Sequence, residues 1–324
     1  MQTEVEAELC FPLLGNTSCS KTPNPQPIAT YMLLSAISLV TVILNLLVII
    51  SISHFKQLQT PTNLQLLSLA ASDALVGFLM LFQISLIGGC WFFGDLMCIV
   101  YFIVDHSVTS ASIGSMVLIS IDRYVAICDP LRYTIKVTKI RVSISVLICW
   151  STSFFFNCMC LIDILKQSGR FNKCVGRCVV VVTYTVGITD LFLSFIGPIT
   201  VIVVLYMNVF AVVVSHSRAM RSRVWGGTLR GATTKISELK AARTLGVVVV
   251  VFIACIMPYF CIAITGQDAV LNASSTAFII CLFYFNSCLN PLIYAIFYPW
   301  FRRSVKLIVT LQILKPDSSQ VNMM

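Results

Sequence analysis

The run ATYMLLSAISLVTVILNLLVIISI, residues 29–52, sets the fold class. It contains no charged residue and is long enough to cross a bilayer, because a membrane-spanning α-helix needs about 20 predominantly apolar residues. Residues 1–28 are polar and have no apolar core of the kind that a cleavable signal peptide needs. We therefore predict that this run is a spanning helix that remains in the mature protein.

Six further apolar runs of spanning length follow, at residues 63–88, 96–127, 140–162, 179–214, 244–265 and 273–297. The composition agrees, since 58% of the 324 residues are hydrophobic and 11% are charged, against about 25% charged residues in soluble domains. It excludes a soluble domain, a disordered chain, a nucleic-acid-binding domain with basic patches and a small disulfide scaffold. We predict an all-α membrane protein with a seven-transmembrane helix bundle.

The distribution of basic residues sets the orientation of the bundle. With the N-terminus outside, the inner loops and the C-terminal tail hold 17 of the 22 Lys and Arg residues. Cytoplasmic loops carry such an excess, so the chain is predicted to have its N-terminus outside and its C-terminus inside. Two N-x-[ST] sequons, at Asn16 and Asn272, fall on the predicted outer side, where glycosylation takes place.

Of the 14 cysteines, we assign these to the extracellular side, where disulfides persist: Cys10, Cys19, Cys98, Cys174 and Cys178. Cys98 begins the third span, and Cys174 and Cys178 lie in the outer loop before the fifth. A bridge from Cys98 to one of these two would hold the loop over the bundle. A zinc site at Cys174 and Cys178 is the alternative, but no His accompanies the pair on the outer side.

Three of the 13 acidic residues, Asp73, Asp105 and Asp190, lie inside predicted spans. A carboxylate in the hydrocarbon region is costly unless it faces a cavity or a partner, so each of the three is a candidate for function. At a rise of about 1.5 Å per residue, Asp105 and Asp190 lie in the outer part of the membrane and Asp73 near its midplane. The sequence thus predicts an outer layer with two acids and a middle layer with one.

The two outer acids have no base in the spans to neutralise them, and residues 244–301 contain no Lys or Arg. A ligand with amino groups at both ends of a short chain would supply the missing charge. Electron-rich aromatic faces favour an ammonium, and Tyr259, Phe260 and Tyr284 lie in the sixth and seventh spans. We predict that these aromatic residues surround the ligand.

Asp190 has a second interpretation, in which it is protonated or hydrogen-bonded to Thr189 or Ser194 and binds no ligand. His106 is the one His inside a span, and on a helix it points about 100° away from the acid that precedes it. We include His106 and Thr109 among the predicted ligand-binding residues, because both lie on the third span beside that acid.

Each span carries one recognisable motif. The motifs are Asn45, Leu69-Ala70-Ala71-Ser72-Asp73, Asp122-Arg123-Tyr124, Trp150, Pro198 with Tyr206, Phe252-x-x-Cys255-x-x-Pro258 and Asn290-Pro291-Leu292-Ile293-Tyr294. One motif per span, in this order, resembles the rhodopsin-like G-protein-coupled receptors across nearly the whole chain. The resemblance implies an extracellular N-terminus (1–28), a seven-transmembrane receptor domain (29–298), and a short amphipathic helix with a cytoplasmic tail (299–324).

Four longer stretches of sequence resemble one particular family within this class of receptors. They are NSCLNPLIYAIFYPWF at 286–301, HFKQLQTPTN at 54–63, CWFFGD at 90–95 and IDRYVAICDPLRY at 121–133. Together they resemble the trace amine-associated receptors. In that family the acid at the position of Asp105 holds the ligand ammonium, and an added acid at the position of Asp190 resembles fish-type members that prefer diamines.

The same resemblance implies two disulfides. One joins Cys98 to Cys178, and the other joins the N-terminus to Cys174. We assign the second bridge to Cys10, with Cys19 as the alternative.

The resemblance also implies a switch at the inner face. Arg123 would pair with Asp122, or with Glu238 at the start of the sixth span, and hold the helices together until a ligand shifts the population. The alternative is an ordinary surface salt bridge, which would contribute little. The other switch residues are Tyr124, Tyr206, Asn290, Pro291 and Tyr294, with the packing triad Ile113, Pro198 and Phe252. The pocket that holds sodium in many inactive receptors corresponds to Asp73, Ser112, Asn286, Ser287 and Asn290.

The chain departs from the family pattern in the sixth span. Family members usually have Trp after the Cys, whereas this chain has Ile256 between Cys255 and Met257. The aromatic floor of the ligand pocket is therefore missing. We expect that the activation step in which this Trp takes part in the family is altered in this chain. Further departures are Leu44, Phe82 and Cys281, which replace the usual Gly, Pro and Trp.

The function implied by the resemblance is that of an olfactory-type receptor in the plasma membrane for a small amine, preferably a diamine. It would activate a stimulatory G protein and raise cyclic AMP, with arrestin and membrane lipid as further partners, no nucleic acid, and no cofactor beyond the sodium ion. The rivals are a monoamine neurotransmitter receptor and a cation-coupled transporter, of which the transporter would require internal repeats. A retinal pigment would require a Lys in the seventh span, which has none. We predict no enzyme activity, because no acid in a span has a His partner or a metal-ligand pattern.

Overall fold

The computed structural model describes residues 8–21, 27–166, 174–178, 184–224, 232–265 and 273–323. Seven long helices account for most of these residues. They are α1 (Ile28–His54), α2 (Pro61–Ile87), α3 (Gly94–Cys128), α4 (Lys139–Lys166), α5 (Tyr184–Leu191, the π-helical turn Phe192–Ile196, and Gly197–Val224), α6 (Ala232–Thr265) and α7 (Ala273–Phe297). A shorter helix, α8 (Pro299–Val309), follows α7, and the short helix Tyr133–Lys136 lies between α3 and α4.

The lengths and faces of these helices suit a membrane. Helices α1 to α5 and α7 are long and apolar enough to cross a bilayer, and α6 contributes the apolar section Gly246–Ile262. Large apolar side chains such as Phe155, Val204 and Phe210 remain exposed on the helices, as expected where lipid rather than water surrounds the bundle. The predicted all-α bundle of seven spans is confirmed.

Local sequence signals explain where two helices begin. Pro61 opens α2, where a fixed φ and a missing N–H cost nothing, and the Thr60 hydroxyl accepts a hydrogen bond from the Asn63 N–H at 3.2 Å. Pro299 opens α8 in the same way. Helix α8 buries Phe301 and Ser304 and exposes Arg302 and other basic side chains, so the predicted amphipathic helix is present.

Close approach and polar contacts hold the helices together, as is usual for helices in lipid. A Cβ on Gly77 of α2 would meet the Thr41 side chain of α1 at 3.0 Å, so a larger residue would require α1 or this side chain to shift. The Asn45 amide donates to the Ser287 carbonyl at 3.0 Å and joins α1 to α7. The Trp150 indole donates to the Ser68 hydroxyl at 3.0 Å and joins α4 to α2.

Three disulfides frame the outer side: Cys10–Cys90, Cys19–Cys174 and Cys98–Cys178. The Cys98–Cys178 bridge agrees with the prediction. The assignment of Cys10 to Cys174 is wrong, because Cys19 takes that partner. Cys90, at the outer end of α2, was missed by the sequence analysis.

The fold of the N-terminus explains this pairing. A 3-10 helix, Pro12–Thr17, reverses the chain, so that the Cys10 N–H donates to the Cys19 carbonyl at 2.9 Å. The Cys19 N–H in turn donates to the Val175 carbonyl at 2.9 Å, which places Cys19 beside the outer loop. Cys10 lies on the other side of this hairpin and meets Cys90 instead.

The C-terminal tail folds back onto the first inner loop. Met323 is buried with Phe55 and Leu58 in one small apolar cluster, and the His54 ring and the Ser318 hydroxyl are hydrogen-bonded at 2.9 Å. On the outer side, the backbone of Asn16 lies in the 3-10 helix. The Asn16 side chain and the whole of residue 272 lie outside the described residues, so glycosylation stays a prediction.

Candidate functional site

Asp105 lies on the outer half of α3 and is partly buried. Among the described residues its Oδ1 accepts one hydrogen bond, from the Tyr284 hydroxyl of α7 at 3.2 Å. A carboxylate has about four acceptor positions, so this bond leaves most of its capacity unused. No Lys or Arg among the described residues forms an ion pair with it. The negative charge is thus available to a cation from outside the chain.

Aromatic rings extend from Asp105 across three helices. Tyr284 packs edge-on against Phe283, with centroids 5.6 Å apart, and Phe283 lies 4.8 Å from Tyr259 of α6. Tyr259 in turn packs edge-on against Phe260, which stacks on Phe195 of α5 at 4.4 Å. The predicted residues Tyr259, Phe260 and Tyr284 therefore lie in one continuous aromatic cluster next to the carboxylate, which is the surrounding that an ammonium ion favours.

Asp190 lies on the first segment of α5, just before the π-helical turn. Its Oδ1 accepts a hydrogen bond from the Ser194 hydroxyl at 2.8 Å, and the side chain is partly exposed. This bond is the one named in the second interpretation of Asp190. The residue connects to the aromatic cluster through Phe195, which follows on the same helix.

Two other predicted ligand contacts lie apart from the Asp105–Tyr284 pair. His106 is exposed, and its Nδ1 is hydrogen-bonded to the Phe102 carbonyl at 3.0 Å. Thr109 lies about one helical turn below Asp105 and lines a small cavity. His106 therefore contacts its own helix, while Thr109 lies between the outer acid and the middle of the bundle.

Asp73 forms the centre of the middle layer and is fully buried. Its carboxylate accepts three hydrogen bonds, from the Ser112 hydroxyl at 3.0 Å, the Ser287 hydroxyl at 2.9 Å and the Asn290 amide at 2.8 Å. These donors come from α3 and α7, so one carboxylate ties together α2, α3 and α7. The structure thus brings together Asp73, Ser112, Ser287 and Asn290, four of the five residues assigned to the sodium pocket.

The residues around Asp73 also fit a small hard cation. A cavity of about 20 Å³ is lined by Ser112, Asn286 and Ser287 among others, and a volume of about 10–15 Å³ already holds one water molecule. The Asn286 Oδ1 is buried and has no hydrogen-bond partner among the described residues. Hydroxyl, carbonyl and carboxylate oxygens are the ligands that hard cations prefer.

Ile256 lies on another wall of the same cavity and is buried. Ile113 and Phe252, two members of the predicted triad, line it too and belong to the same apolar core cluster. Pro198 is partly buried on α5, and its proximity to the other two stays a prediction. The cavity connects the aromatic cluster above to Asp73 below, because Phe283 also lines it.

At the inner end of α3, Asp122 is buried and forms an ion pair with Arg123. The Tyr133 hydroxyl donates to Asp122 Oδ1 at 2.9 Å, and the Thr62 hydroxyl donates to Asp122 Oδ2 at 3.1 Å. Arg123 also donates to the Thr62 hydroxyl at 2.6 Å. Arg123 is therefore paired with Asp122, the first of its two predicted partners. The side chain of Glu238 lies outside the described residues.

The sequence analysis missed Thr62 and Tyr133 as partners of Asp122, although both lie in the stretches that carry the resemblance. Burial raises the pKa of the Tyr133 phenol above its ordinary value, so this group stays a proton donor. In the following loop, a hydrogen bond of 2.8 Å from Lys136 holds the pKa of the Asp129 carboxyl below its ordinary value. The inner loop is thus anchored to α3 by charged and polar contacts.

The remaining switch residues lie on three helices. Tyr206 of α5 has a buried hydroxyl with no hydrogen-bond partner among the described residues. Tyr294 of α7 is fully buried, one turn after Asn290 and next to the bend-prone Pro291. Tyr124 is partly buried at the end of α3. Their switching role stays a prediction.

Comparison with known proteins gives the family. The family model described as 7 transmembrane receptor (rhodopsin family) matches residues 44–294. Trace amine-associated receptor 13c of Danio rerio is 36% identical over 98% of this chain and 96% of its own length. Trace amine-associated receptor 4 of Mus musculus is 35% identical over 97% and 94%, respectively. Trace amine-associated receptor 1 of Mus musculus is 37% identical over 90% and 91%.

These matches cover both the helix bundle and its flanking segments. They belong to receptors rather than enzymes or transporters, and they agree with a multi-pass protein of the plasma membrane. Together with the seven helices and the inner Asp122–Arg123 pair, they establish that the chain belongs to the trace amine-associated receptors, within the rhodopsin family of G-protein-coupled receptors.

Proposed function

We propose that the chain is an olfactory-type receptor for small amines, and that Asp105 binds the ligand ammonium. The observation that carries this proposal is the state of the Asp105 carboxylate, which is partly buried, accepts one hydrogen bond and adjoins an aromatic cluster. An unpaired carboxylate at this depth is costly, and a bound ammonium would remove that cost. The ligand would therefore gain both a charge-assisted hydrogen bond and cation–π contacts.

A diamine is the preferred ligand in this proposal. Asp190 is a second carboxylate in the outer half of the bundle, and its one described hydrogen bond, from Ser194, leaves further acceptor positions. Residues 244–301 supply no base to neutralise either acid. A second ammonium at the other end of a short chain would satisfy Asp190, while the aromatic cluster between α5 and α7 would contact the methylene groups.

The signal would pass inward through neighbouring residues of α7 and α3 that line the small cavity below the ligand site. Tyr284 and Phe283 follow each other on α7, and Phe283 lines the small cavity next to Ile256. Ser112 lines the same cavity and donates to Asp73. A ligand that draws α3 and α7 together at Asp105 would thereby change the packing around Asp73, and binding energy would select one of two helix arrangements.

The inner end would then release its ion pair and admit a G protein. The Asp122–Arg123 pair, held by Thr62 and Tyr133, keeps the arginine engaged in the structure described here. We propose a stimulatory G protein, hence a rise in cyclic AMP, with arrestin as a later partner. A sodium ion at Asp73 would stabilise the resting arrangement, with Ser112, Asn286, Ser287 and Asn290 as the residues that hold it.

The experiment that tests the amine site is a cyclic-AMP assay in cells that express the wild type or Asp105→Ala. We expect n-alkylamines and α,ω-diaminoalkanes to activate the wild type and to lose activity on the variant. Asp317→Asn, which removes an acid from the C-terminal tail, is the matched control and should respond like the wild type. An unchanged amine response in Asp105→Ala at equal surface expression would refute the site assignment.

A receptor for aromatic monoamines is the second candidate, favoured by the hydrogen bond between Ser194 and Asp190. If that bond satisfies Asp190, only one ammonium site remains. Diamines would then show no advantage over monoamines of equal chain length, whereas the first proposal requires such an advantage. The N-terminus (1–28), the receptor domain (29–298) and the tail (299–324) keep the same roles in both proposals, with glycans on Asn16 and Asn272.

A further inference from the structure

A second cavity lies on the outer side of the molecule, formed by the N-terminus, the α2–α3 loop and the outer loop before α5. Its volume is about 350 Å³, which falls in the lower part of the range for small-molecule sites. The lining residues include Asp95, Arg177, Trp91, Phe92 and Phe11. None of these five residues is one of the aromatic residues described around Asp105, although Trp91 packs in the same buried apolar cluster as Tyr284.

The walls of this outer cavity are held in place by covalent and backbone bonds. All three disulfides of the described residues join its segments to one another or to α3. The Val175 N–H donates to the Thr17 carbonyl at 2.8 Å, and the Trp91 N–H donates to the Gly176 carbonyl at 2.8 Å. The cavity is therefore built in advance of binding, which lowers the entropic cost of taking up a ligand.

The charges that line the outer cavity are of opposite sign and are not paired. Asp95 and Arg177 both line it and are exposed, and neither forms an ion pair with any described residue. By contrast, Lys21 and Glu8, which are also on the outer side, form an ion pair at 2.6 Å. The cavity thus offers one carboxylate and one guanidinium that are both available.

The remaining walls are aromatic. Phe11 and Phe92 pack edge-on with centroids 5.6 Å apart, and the Trp91 indole N–H is already bonded to the Gly94 carbonyl at 2.8 Å. The side chains of Phe11 and Phe92 carry no hydrogen-bonding group, so this part of the lining is apolar and aromatic.

We propose that the outer cavity is a binding site for a free α-amino acid with an apolar side chain. Asp95 receives the ammonium group, Arg177 receives the carboxylate as a charge-assisted hydrogen-bond donor, and Phe11 and Phe92 contact the side chain. A simple amine leaves Arg177 unpaired and is repelled by it, and a simple carboxylate meets the same problem at Asp95. Only a zwitterion satisfies both charges.

This proposal is independent of the amine function, and its test uses the Asp105→Ala receptor so that the inner acid contributes nothing. The full-length variant, purified in lipid nanodiscs, is tested for equilibrium binding of radiolabelled L-leucine. Isopentylamine and isocaproate, which keep the leucine side chain but lack the carboxylate or the ammonium, serve as competitors. We expect L-leucine to bind and to displace the label at least about tenfold better than either analogue.

Two charge-removing variants, each with its own control, complete the test. Asp95→Asn and Arg177→Gln should each weaken L-leucine binding about tenfold or more. Glu8→Gln and Lys21→Gln remove the same charges from the neighbouring outer pair and should leave binding unchanged. The proposal is overturned if L-leucine does not bind, if isopentylamine or isocaproate competes equally well, or if the Asp95 and Arg177 variants bind like their controls. Asp95→Asn and Arg177→Gln are also made in the receptor that keeps Asp105. Amine binding by these two variants shows that they fold.

Discussion

Asp73 and Asp105 are both carboxylates inside the helix bundle, but they differ in burial and in the number of hydrogen bonds that they accept. Asp73 is fully buried and accepts hydrogen bonds from Ser112, Ser287 and Asn290. Asp105 is partly buried and accepts one, from Tyr284. The number of internal donors therefore separates an acid that organises the bundle from an acid that is left for a ligand.

Asp190 extends the comparison. It resembles Asp105 in having a single described hydrogen bond, and it differs in that the donor, Ser194, lies on its own helix. A bond within one helix ties no helices together, so Asp190 contributes little to the packing of the bundle. We place it with Asp105 as an acid that awaits a partner.

The largest effect is expected for Asp105→Ala. Removal of one partner from a buried, hydrogen-bonded charge pair costs about 2–5 kcal/mol of binding free energy, so the potency of amines in a cyclic-AMP assay should fall about 30-fold or more. The melting temperature of the purified receptor should change little, because Asp105 has one internal hydrogen bond to lose. A large loss of stability would show that Asp105, like Asp73, stabilises the helix bundle, and would contradict the distinction between the two acids.

Asp190→Asn should give a smaller and selective effect. We expect the potency of α,ω-diaminoalkanes to fall about tenfold, which corresponds to about 1.4 kcal/mol, while n-alkylamines of equal chain length keep their potency. The same assay with Ser194→Ala is the matched control, because it removes the internal donor and leaves the carboxylate. Equal loss for both ligand classes would show that Asp190 supports the fold rather than a second ammonium.

Asp73→Asn should separate signalling from binding. The amide places N–H groups where three donors point, and each bond lost to a buried group costs about 1–3 kcal/mol. We expect a lower melting temperature and a weak cyclic-AMP response, with the affinity for a diamine within about threefold of the wild type. If sodium binds here, sodium chloride should raise the melting temperature of the wild type and not that of Asp73→Asn, compared with choline chloride at equal strength.

Ile256→Trp should have the smallest effect on ligand affinity. The cavity beside Ile256 measures about 20 Å³, which is too small for an indole ring, and overpacking costs about 1–3 kcal/mol of stability. We therefore expect a lower melting temperature, with Ile256→Leu as the volume-matched control that leaves it unchanged. A stable Ile256→Trp receptor with stronger signalling would show instead that this position accepts an aromatic floor.

Much of the fold follows from the sequence, because bilayer thickness sets the length of an apolar helix and basic residues set its direction. The cluster of Asp73 with Asn290 was predictable from motifs on adjacent helices. The pairing of Cys10 with Cys90 was not, since it depends on the chain reversal at Pro12–Thr17. The outer cavity could not be predicted either. Its walls come from segments that are far apart in sequence and come together only once the N-terminus has folded.

The inner network was predictable in part. The pairing of Asp122 with Arg123 was expected from the Asp-Arg-Tyr motif and the resemblance that it carries, whereas the contact with Thr62 requires the packing of α2 against α3. The single hydrogen bond to Asp105 depends on the register between α3 and α7, which no motif specifies. The contact of Ser194 with Asp190 was predictable, because the two residues lie one helical turn apart on α5.

Equilibrium binding of a radiolabelled α,ω-diaminoalkane to purified receptor tests the central claim most directly, because it measures ligand contact apart from signalling. Wild type, Asp105→Ala, Asp190→Asn and Asp73→Asn are compared in one preparation. We predict that the affinity falls most for Asp105→Ala, by about tenfold for Asp190→Asn, and hardly at all for Asp73→Asn. Wild-type affinity in Asp105→Ala, or an equal loss in Asp73→Asn, would contradict the division between acids that bind the ligand and the acid that organises the bundle.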